Sequence, residues 1–265
     1  MQHCRRRGRG NTAHFCRKRF PETGGNEMKE YGIGEQQKAG IRSLRQIRAV
    51  LFDMDGVILD TEPTHIAGWH KALAAVGLQA EESVLIRIRG ANAPRQKEVF
   101  LQHYGCGLDY ERLRQLRRSY CEAEFQRNGI RPKPGYRELT AWLKERGIAR
   151  GLCTSTEMEV VKRELPMAGL DYDFDAAVTG DEPKRGKPAP DVFLLGAEKL
   201  SVPPEHCLVL EDSPNGVEAG FAAGCRVIMI PDTVPATDAL REKTVAVCSS
   251  LLDVRALMIE IQGHS

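Results

Sequence analysis

The sequence predicts an α/β protein: a doubly wound, Rossmann-like parallel sheet core with a small all-helical cap domain inserted after the first strand. Three observations carry that expectation. From residue 48 onward, short apolar runs rich in Val, Ile and Leu alternate with helical periodicities. The runs lack the in-and-out alternation of a half-exposed strand, so they read as strands buried on both faces, as in a parallel sheet. One interval, residues 66–134, holds helical patterns only.

AVLFD (49–53) is the first strand, and ARGLCT (149–154), AAVTG (176–180), CLVLE (207–211) and CRVIMI (225–230) supply four more. Between them GYRELTAWLKERG, EMEVVKRELPMAG, PDVFLLGAEKL and SPNGVEAGFAAG have helical spacing, several closing on a Gly cap. Strand and helix in alternation imply right-handed βαβ crossovers. The interval from IAGWHKALAAVGL to ERLRQLRRSYCEAEFQRNGI is expected over the sheet's carboxyl edge, and RPKPG marks the return to the core. The expected division is a basic, disordered extension over 1–45, core over 46–65, cap over 66–134, and the remaining core over 135–265.

A chain of 265 residues, 42% hydrophobic and 28% charged, has the composition of one or two ordinary soluble domains. Residues 1–40 carry nine Lys or Arg against four acids, which leaves 29 bases facing 32 acids in the rest. The folded part therefore has no basic field of the kind that binds nucleic acid. No run of eighteen apolar residues suggests a membrane span, and the N-terminus lacks the apolar stretch of a secretory signal. Eight scattered cysteines without a CxxC pair fit reduced thiols in a cytoplasmic protein, with Cys153 and Cys207 as small core residues. A monomer or weak homodimer is expected. The polar residues 1–40 read as disordered; a targeting arm, a nucleic-acid tail and a zinc site from His3, Cys4, His14 and Cys16 are competing readings, and Met28 fits as a start.

In a parallel sheet all strand C-termini share one edge. Taken in order, these strand ends deliver Asp53 and Asp55, then Thr154 and Ser155, then Lys187 beyond the next strand, then Glu211 and Asp212. A strand's two-residue period would aim positions 53 and 55 to one side, into one small volume. Two like charges about 4 Å apart repel by roughly 1 kcal/mol in water and roughly 4 kcal/mol at an effective dielectric of about 20. A hard divalent cation removes that repulsion, and an oxygen-only donor set suits Mg²⁺, which also takes a phosphate oxygen. A carboxylate can then serve as nucleophile on phosphorus, with Lys187 supplying charge, the Thr154 hydroxyl donating to phosphoryl oxygens, and Asp55 moving the proton. Singly, Thr154 or Ser155 reads as a turn or helix cap, Lys187 as a solvated loop lysine, and Glu211 and Asp212 as helix caps. Their joint occurrence at successive strand ends overturns those readings.

DMDGVILDTE with LCTST, GKPAPD and LEDSPNGVEAG resembles the four ordered motifs of the haloacid dehalogenase superfamily, in its phosphatase and β-phosphoglucomutase-like branch with a helical cap. The resemblance covers about residues 48–250. It implies Asp53 as nucleophile, Asp55 as acid/base, Thr154 as phosphate ligand and Lys187 as the bridge between nucleophile and phosphate. Mg²⁺ would be held by the Asp53 side chain, the Asp55 carbonyl and Asp212, with Glu211 assisting. Gly56, Ser155, Thr61 and His65 complete the substrate-side set, Thr61 and His65 coupling cap closure to proton transfer. Asp60 is assigned to the hinge. Dehalogenases of the superfamily need no Mg²⁺ and lack the second aspartate, so Asp55 argues against that chemistry.

A phosphomutase must hold a second phosphate and so needs a cationic cap contact; in the mutase pattern of the resembled family an Arg stands three residues after the Gly of the cap's R/K-G segment. RIRGANAPRQ has Ala93 there, with Arg89 and Arg95 nearby. The favoured function is thus a Mg²⁺-dependent phosphatase acting on a small phosphorylated metabolite through an aspartyl phosphate. A β-phosphoglucomutase-type isomerase is the runner-up, and a non-catalytic phosphometabolite-binding protein the alternative of another class.

Overall fold

A computed structural model describes residues 35–262. The readings on His3, Cys4, His14, Cys16 and Met28 lie outside the described residues. The first apolar run forms β1 (Ala49–Phe52), all four residues buried. It pairs in parallel with β2 (Ala149–Cys153) on one side and β4 (Cys207–Glu211) on the other. Outward lie β3 (Ala176–Val178) beside β2 and β5 (Arg226–Met229) beside β4. A sixth strand, β6 (Ala246–Val247), pairs with β5 and completes the order β3-β2-β1-β4-β5-β6. The sequence pattern missed β6 because two residues show no period. The chain steps from β1 outward to β3 and then returns to β4 on the opposite side, so the switch point of the sheet lies at the carboxyl ends of β1 and β4.

Alternate strand residues feed two apolar layers. Val50, Phe52, Leu152 and Leu210 pack with α6 (Tyr136–Glu145), α7 (Met158–Met167) and α11 (Leu251–Gln262) on one face. Ala49, Leu51, Cys153 and Val209 pack with α8 (Asp191–Lys199) and α9 (Pro214–Ala222) on the other. A short α10 (Asp238–Arg241) adds Leu240 to that second layer. Cys153 and Cys207 are fully buried, as expected of small core residues.

Between β1 and β2 run α2 (Glu62–Ala75), α3 (Glu82–Ile88), α4 (Ala93–Tyr104) and α5 (Tyr110–Asn128). They enclose an apolar cluster of their own around Trp69, Leu73, Leu85, Phe100 and Leu113, with the Trp69 and Phe100 rings 4.7 Å apart. The chain leaves and re-enters the core side by side: Asp60 N–H donates to the Arg131 carbonyl (2.9 Å) and Lys133 N–H to the Ile58 carbonyl (2.7 Å). Asp60 is partly exposed and pairs with Lys133 (3.4 Å), away from the other acids of its motif.

The basic extension is corrected at its C-terminal end. Glu35–Ser43 forms α1, a single turn of 3₁₀ helix follows over Leu44–Gln46, and Leu44 and Ile47 are buried. Arg45 donates to the Ile261 carbonyl and Arg226 to the Ser43 hydroxyl, so this segment is tied to the core. Ile41, Leu44 and Ile47 form an i, i+3 apolar row that the polar composition of residues 1–40 conceals. Among the described residues no helix is long and apolar enough to cross a membrane.

Candidate active site

The strand ends converge as expected. Asp53 N–H donates to the Leu210 carbonyl and Thr154 N–H to the Val178 carbonyl, so both residues extend their ladders by one step and are rigidly placed. Lys187 arrives from the β3–α8 loop and is fully buried. Its ammonium donates to Asp53 Oδ1 (2.5 Å), Glu211 Oε1 (2.6 Å) and the Cys153 carbonyl (3.1 Å), which uses all three of its protons. Glu211 Oε2 in turn accepts from the Asp212 and Ser213 N–H groups and from the Ser213 hydroxyl (3.0–3.1 Å). Both Glu211 oxygens are thus engaged. The Ser213 hydroxyl also caps α9 by accepting from Gly216 N–H.

Asp53, Glu211 and Asp212 present carboxylate oxygens within 4.8 Å of one another, all buried. Gly56 passes over this group at φ +81°, and a Cβ there would lie 2.3 Å from Asp212 Oδ2, so only glycine fits. Burial pushes the Asp53 and Asp212 carboxyls well above the usual carboxylate range, and Glu211 adds to both; Lys187 partly offsets the rise at Asp53. Burial opposes the charge on Lys187, but Asp53 and Glu211 outweigh it and hold the ammonium protonated. One cation against three buried carboxylates leaves a negative, oxygen-only site. Asp53 and Asp212 therefore fit a hard divalent cation such as Mg²⁺.

Asp55 is not part of that group. The strand ends at Phe52, the chain turns over Met54–Gly56, and the two-residue period does not reach position 55. The shared small volume expected for the Asp53 and Asp55 carboxylates is corrected accordingly. Asp55 Oδ1 accepts from the Thr61 hydroxyl (2.6 Å) and Oδ2 from the Thr156 hydroxyl (2.7 Å). It forms a second cluster with His65 and Glu164, again within 4.8 Å. Thr61 stands at the N-cap of α2 without capping it, because its hydroxyl goes to Asp55. His65 Nδ1 lies 3.8 Å from both Asp55 and Glu62. Burial alone would lower the imidazole pKa, but these two carboxylates raise it. Burial pushes the Glu164 carboxyl up to about 7, and its Oε2 is buried with no hydrogen-bond partner.

Thr154 is buried, and its hydroxyl oxygen accepts from Thr156 N–H (3.1 Å). The Ser155 hydroxyl, expected on the substrate side, donates instead to the Gly90 carbonyl of the helical insertion (2.6 Å). Asn215 at the start of α9 reaches the same segment, donating to the Arg87 and Arg89 carbonyls. Between insertion and sheet lies a cavity of about 330 Å³ onto which Asp53, Asp55, His65, Thr154, Glu164 and Asp212 all open. That volume suits a small metabolite.

Thr156 and Glu164 escaped sequence reasoning. Thr156 belongs to the quoted LCTST, three residues past the strand. Glu164 sits on the buried stripe of α7 beside Val161 and Leu165, a charged residue on an apolar face.

A family model described as haloacid dehalogenase-like hydrolase matches residues 47–224. The chain belongs to that family. Its place is the branch of phosphatases and phosphomutases. The fructose-1-phosphate phosphatase YqaB of Escherichia coli is 35% identical over 66% of this chain and 92% of its own length. A phosphorylated carbohydrates phosphatase of Thermotoga maritima is 33% identical over 67% of this chain and 82% of its own length. Among solved structures, CbbY from Rhodobacter sphaeroides in complex with phosphate superposes with a TM-score of 0.66 and 26% identity, covering 78% of this chain and 96% of that one. Within this haloacid dehalogenase-like hydrolase, the inner cluster lies at the sheet's switch point and the outer cluster at its seam with the helical insertion.

Proposed function

We propose that the protein is a Mg²⁺-dependent phosphomonoesterase of small phosphorylated metabolites, sugar phosphates foremost, working through an aspartyl phosphate. The observation that carries this reading is Lys187, fully buried and bonded to both Asp53 and Glu211 beside Asp212. A buried ammonium that holds one oxygen of a carboxylate leaves the other to act, and it supplies charge where a phosphoryl group would gather it. The two curated relatives described above are named for sugar and carbohydrate phosphates.

In this reading an Asp53 oxygen attacks phosphorus while the ester oxygen leaves with a proton from Asp55. Asp55 then removes a proton from water, which attacks the acyl phosphate and frees inorganic phosphate. The Thr61 and Thr156 hydroxyls hold the Asp55 carboxylate in place, and the Thr154 hydroxyl faces the phosphoryl oxygens. The Asp53 side chain, the Asp55 carbonyl and Asp212 would hold Mg²⁺, which when bound neutralises phosphoryl charge. Glu211, with both oxygens engaged, positions Lys187. Residues 66–134 serve as a cap that closes on the site through Gly90, Ser155 and Asn215.

The phosphomutase reading has less support. Ala93 occupies the position of the expected cation; Arg95 pairs with Glu98 (2.6 Å) and does not open onto the cavity, and Arg89, which does, pairs with Glu82 (2.8 Å). Phosphate release from a panel of small phosphoesters with Mg²⁺ tests the proposal. It is withdrawn if no ester is hydrolysed while glucose 1-phosphate becomes glucose 6-phosphate with a bisphosphate primer. Binding of phosphoesters without turnover under any metal condition would favour the non-catalytic alternative.

A further inference from the structure

Among the described residues five arginines line the cavity: Arg89, Arg114, Arg117, Arg118 and Arg163. Four are matched by carboxylates of the protein. Arg114 and Arg118 share Glu157 (2.5 and 3.0 Å), Arg163 pairs with Glu122 (3.0 Å) and Arg89 with Glu82 (2.8 Å). Arg117 differs in that, among the described residues, no carboxylate pairs with it; its Nε is buried with no hydrogen-bond partner, as are Nε and Nη1 of Arg89, which keeps Glu82 as its counter-ion.

The Arg117 side chain is nonetheless seated. Its Cγ runs against Gly68 of α2, where an added Cβ would lie 3.1 Å away, and its guanidinium carbon lies 5.1 Å over the Trp69 ring. That place over the indole seats the guanidinium without neutralising it. Its charge acts on His65, a member of the Asp55 cluster and not of the inner one. A cation fixed against an aromatic wall, unmatched by the protein and facing a cavity with low-dielectric walls, raises the local concentration of anions. The phosphoryl group belongs to Lys187 and the inner cluster, so the charge left for Arg117 is on the other end of the substrate.

We propose that Arg117 is a specificity-determining residue that pairs with a second anionic oxygen group, carboxylate or phosphate, on the leaving-group portion of the substrate. This rests on the phosphatase reading and narrows its substrate class to phosphoesters with two negative ends. The guanidinium fork accepts either group in the same bidentate manner.

The test uses two matched pairs with Mg²⁺: 2-phosphoglycolate against 2-hydroxyethyl phosphate, and 1,3-propanediol bisphosphate against 3-hydroxypropyl phosphate. The wild-type protein is expected to favour the acidic member of at least one pair by about tenfold or more in kcat/KM. The pair in which this holds tells carboxylate from phosphate. Arg117→Met and Arg117→Gln should lose that preference mainly through KM, leaving the neutral members within about threefold, while Arg117→Lys keeps part of it. A wild-type protein that favours the acidic member of neither pair, or an equal fall for both members in the variants, overturns the assignment. Absence of hydrolysis of every ester defeats the phosphatase reading instead. Arg117 is then judged by titrating Trp69 emission with the same compounds: tighter binding of an acidic member, lost in Arg117→Gln, upholds it, and equal binding overturns it.

Discussion

The two acid clusters are built from the same residue types and differ in what holds them. The inner one, Asp53, Glu211 and Asp212, stands on β1 and β4 and is tied together by a fully buried lysine. The outer one, Asp55, His65 and Glu164, takes one member from a turn, one from α2 and one from α7, and its Asp55 is held by threonine hydroxyls. The inner cluster has a rigid base and a permanent cation, as befits a nucleophile and a metal. The outer cluster joins the sheet edge to the insertion, and burial pushes its Glu164 carboxyl up to about 7, a range suited to proton transfer. Environment, more than residue type, separates the proposed roles.

Breaking the inner cluster should have the largest effects. Asp53→Asn is expected to lower kcat by at least about ten-thousand-fold, read as steady-state phosphate release, because no other carboxylate oxygen stands in its place. Lys187→Met leaves three buried carboxylates without their cation. It should cost about 3 to 5 kcal/mol in denaturant unfolding as well as most of the activity. Breaking the outer cluster should hurt less: Asp55→Asn is expected to lower kcat about 100- to 10,000-fold while the fold stays intact.

The outer cluster also gives a pH signature. Folded Glu164 keeps its proton up to about pH 7, whereas the ordinary value for the group is 4.5. The folded state therefore binds more protons across that window, and its stability falls as pH rises through it. Glu164→Gln should flatten this fall and gain about 2 kcal/mol over wild type at pH 8, measured by urea unfolding. Equal slopes for both proteins would mean that Glu164 is not buried as described. The smallest effect belongs to Thr156→Val, about fivefold in kcat, since Asp55 keeps its bond to Thr61.

The inner cluster was legible because each of its members ends an apolar run or sits in a short polar motif, and a parallel sheet brings such ends together whatever their sequence separation. The outer cluster was not. The bend at Met54 breaks the strand period two residues after Phe52, which no alternation rule anticipates, so alternation puts Asp55 with Asp53. Glu164 lies in EVVKREL, where a glutamate reads as solvated until Val161 and Leu165 are seen buried beside it. Arg117 is masked in the same way by Arg114 and Arg118, which make the run ERLRQLRRSY read as a solvated basic face. Residues 35–45 were hidden by composition, their apolar row being too short to outweigh the polar stretch before it.

The division of labour between the clusters is tested most directly by trapping phosphate on the protein. Asp55→Asn, mixed with Mg²⁺ and labelled p-nitrophenyl phosphate, needs no acid for this leaving group but lacks the base for the second step. It should release one equivalent of p-nitrophenolate in a burst and retain one equivalent of label on Asp53, while Asp53→Asn retains none. Label on Asp55 or Glu211 in the wild-type protein, or steady turnover by Asp53→Asn, would contradict the account.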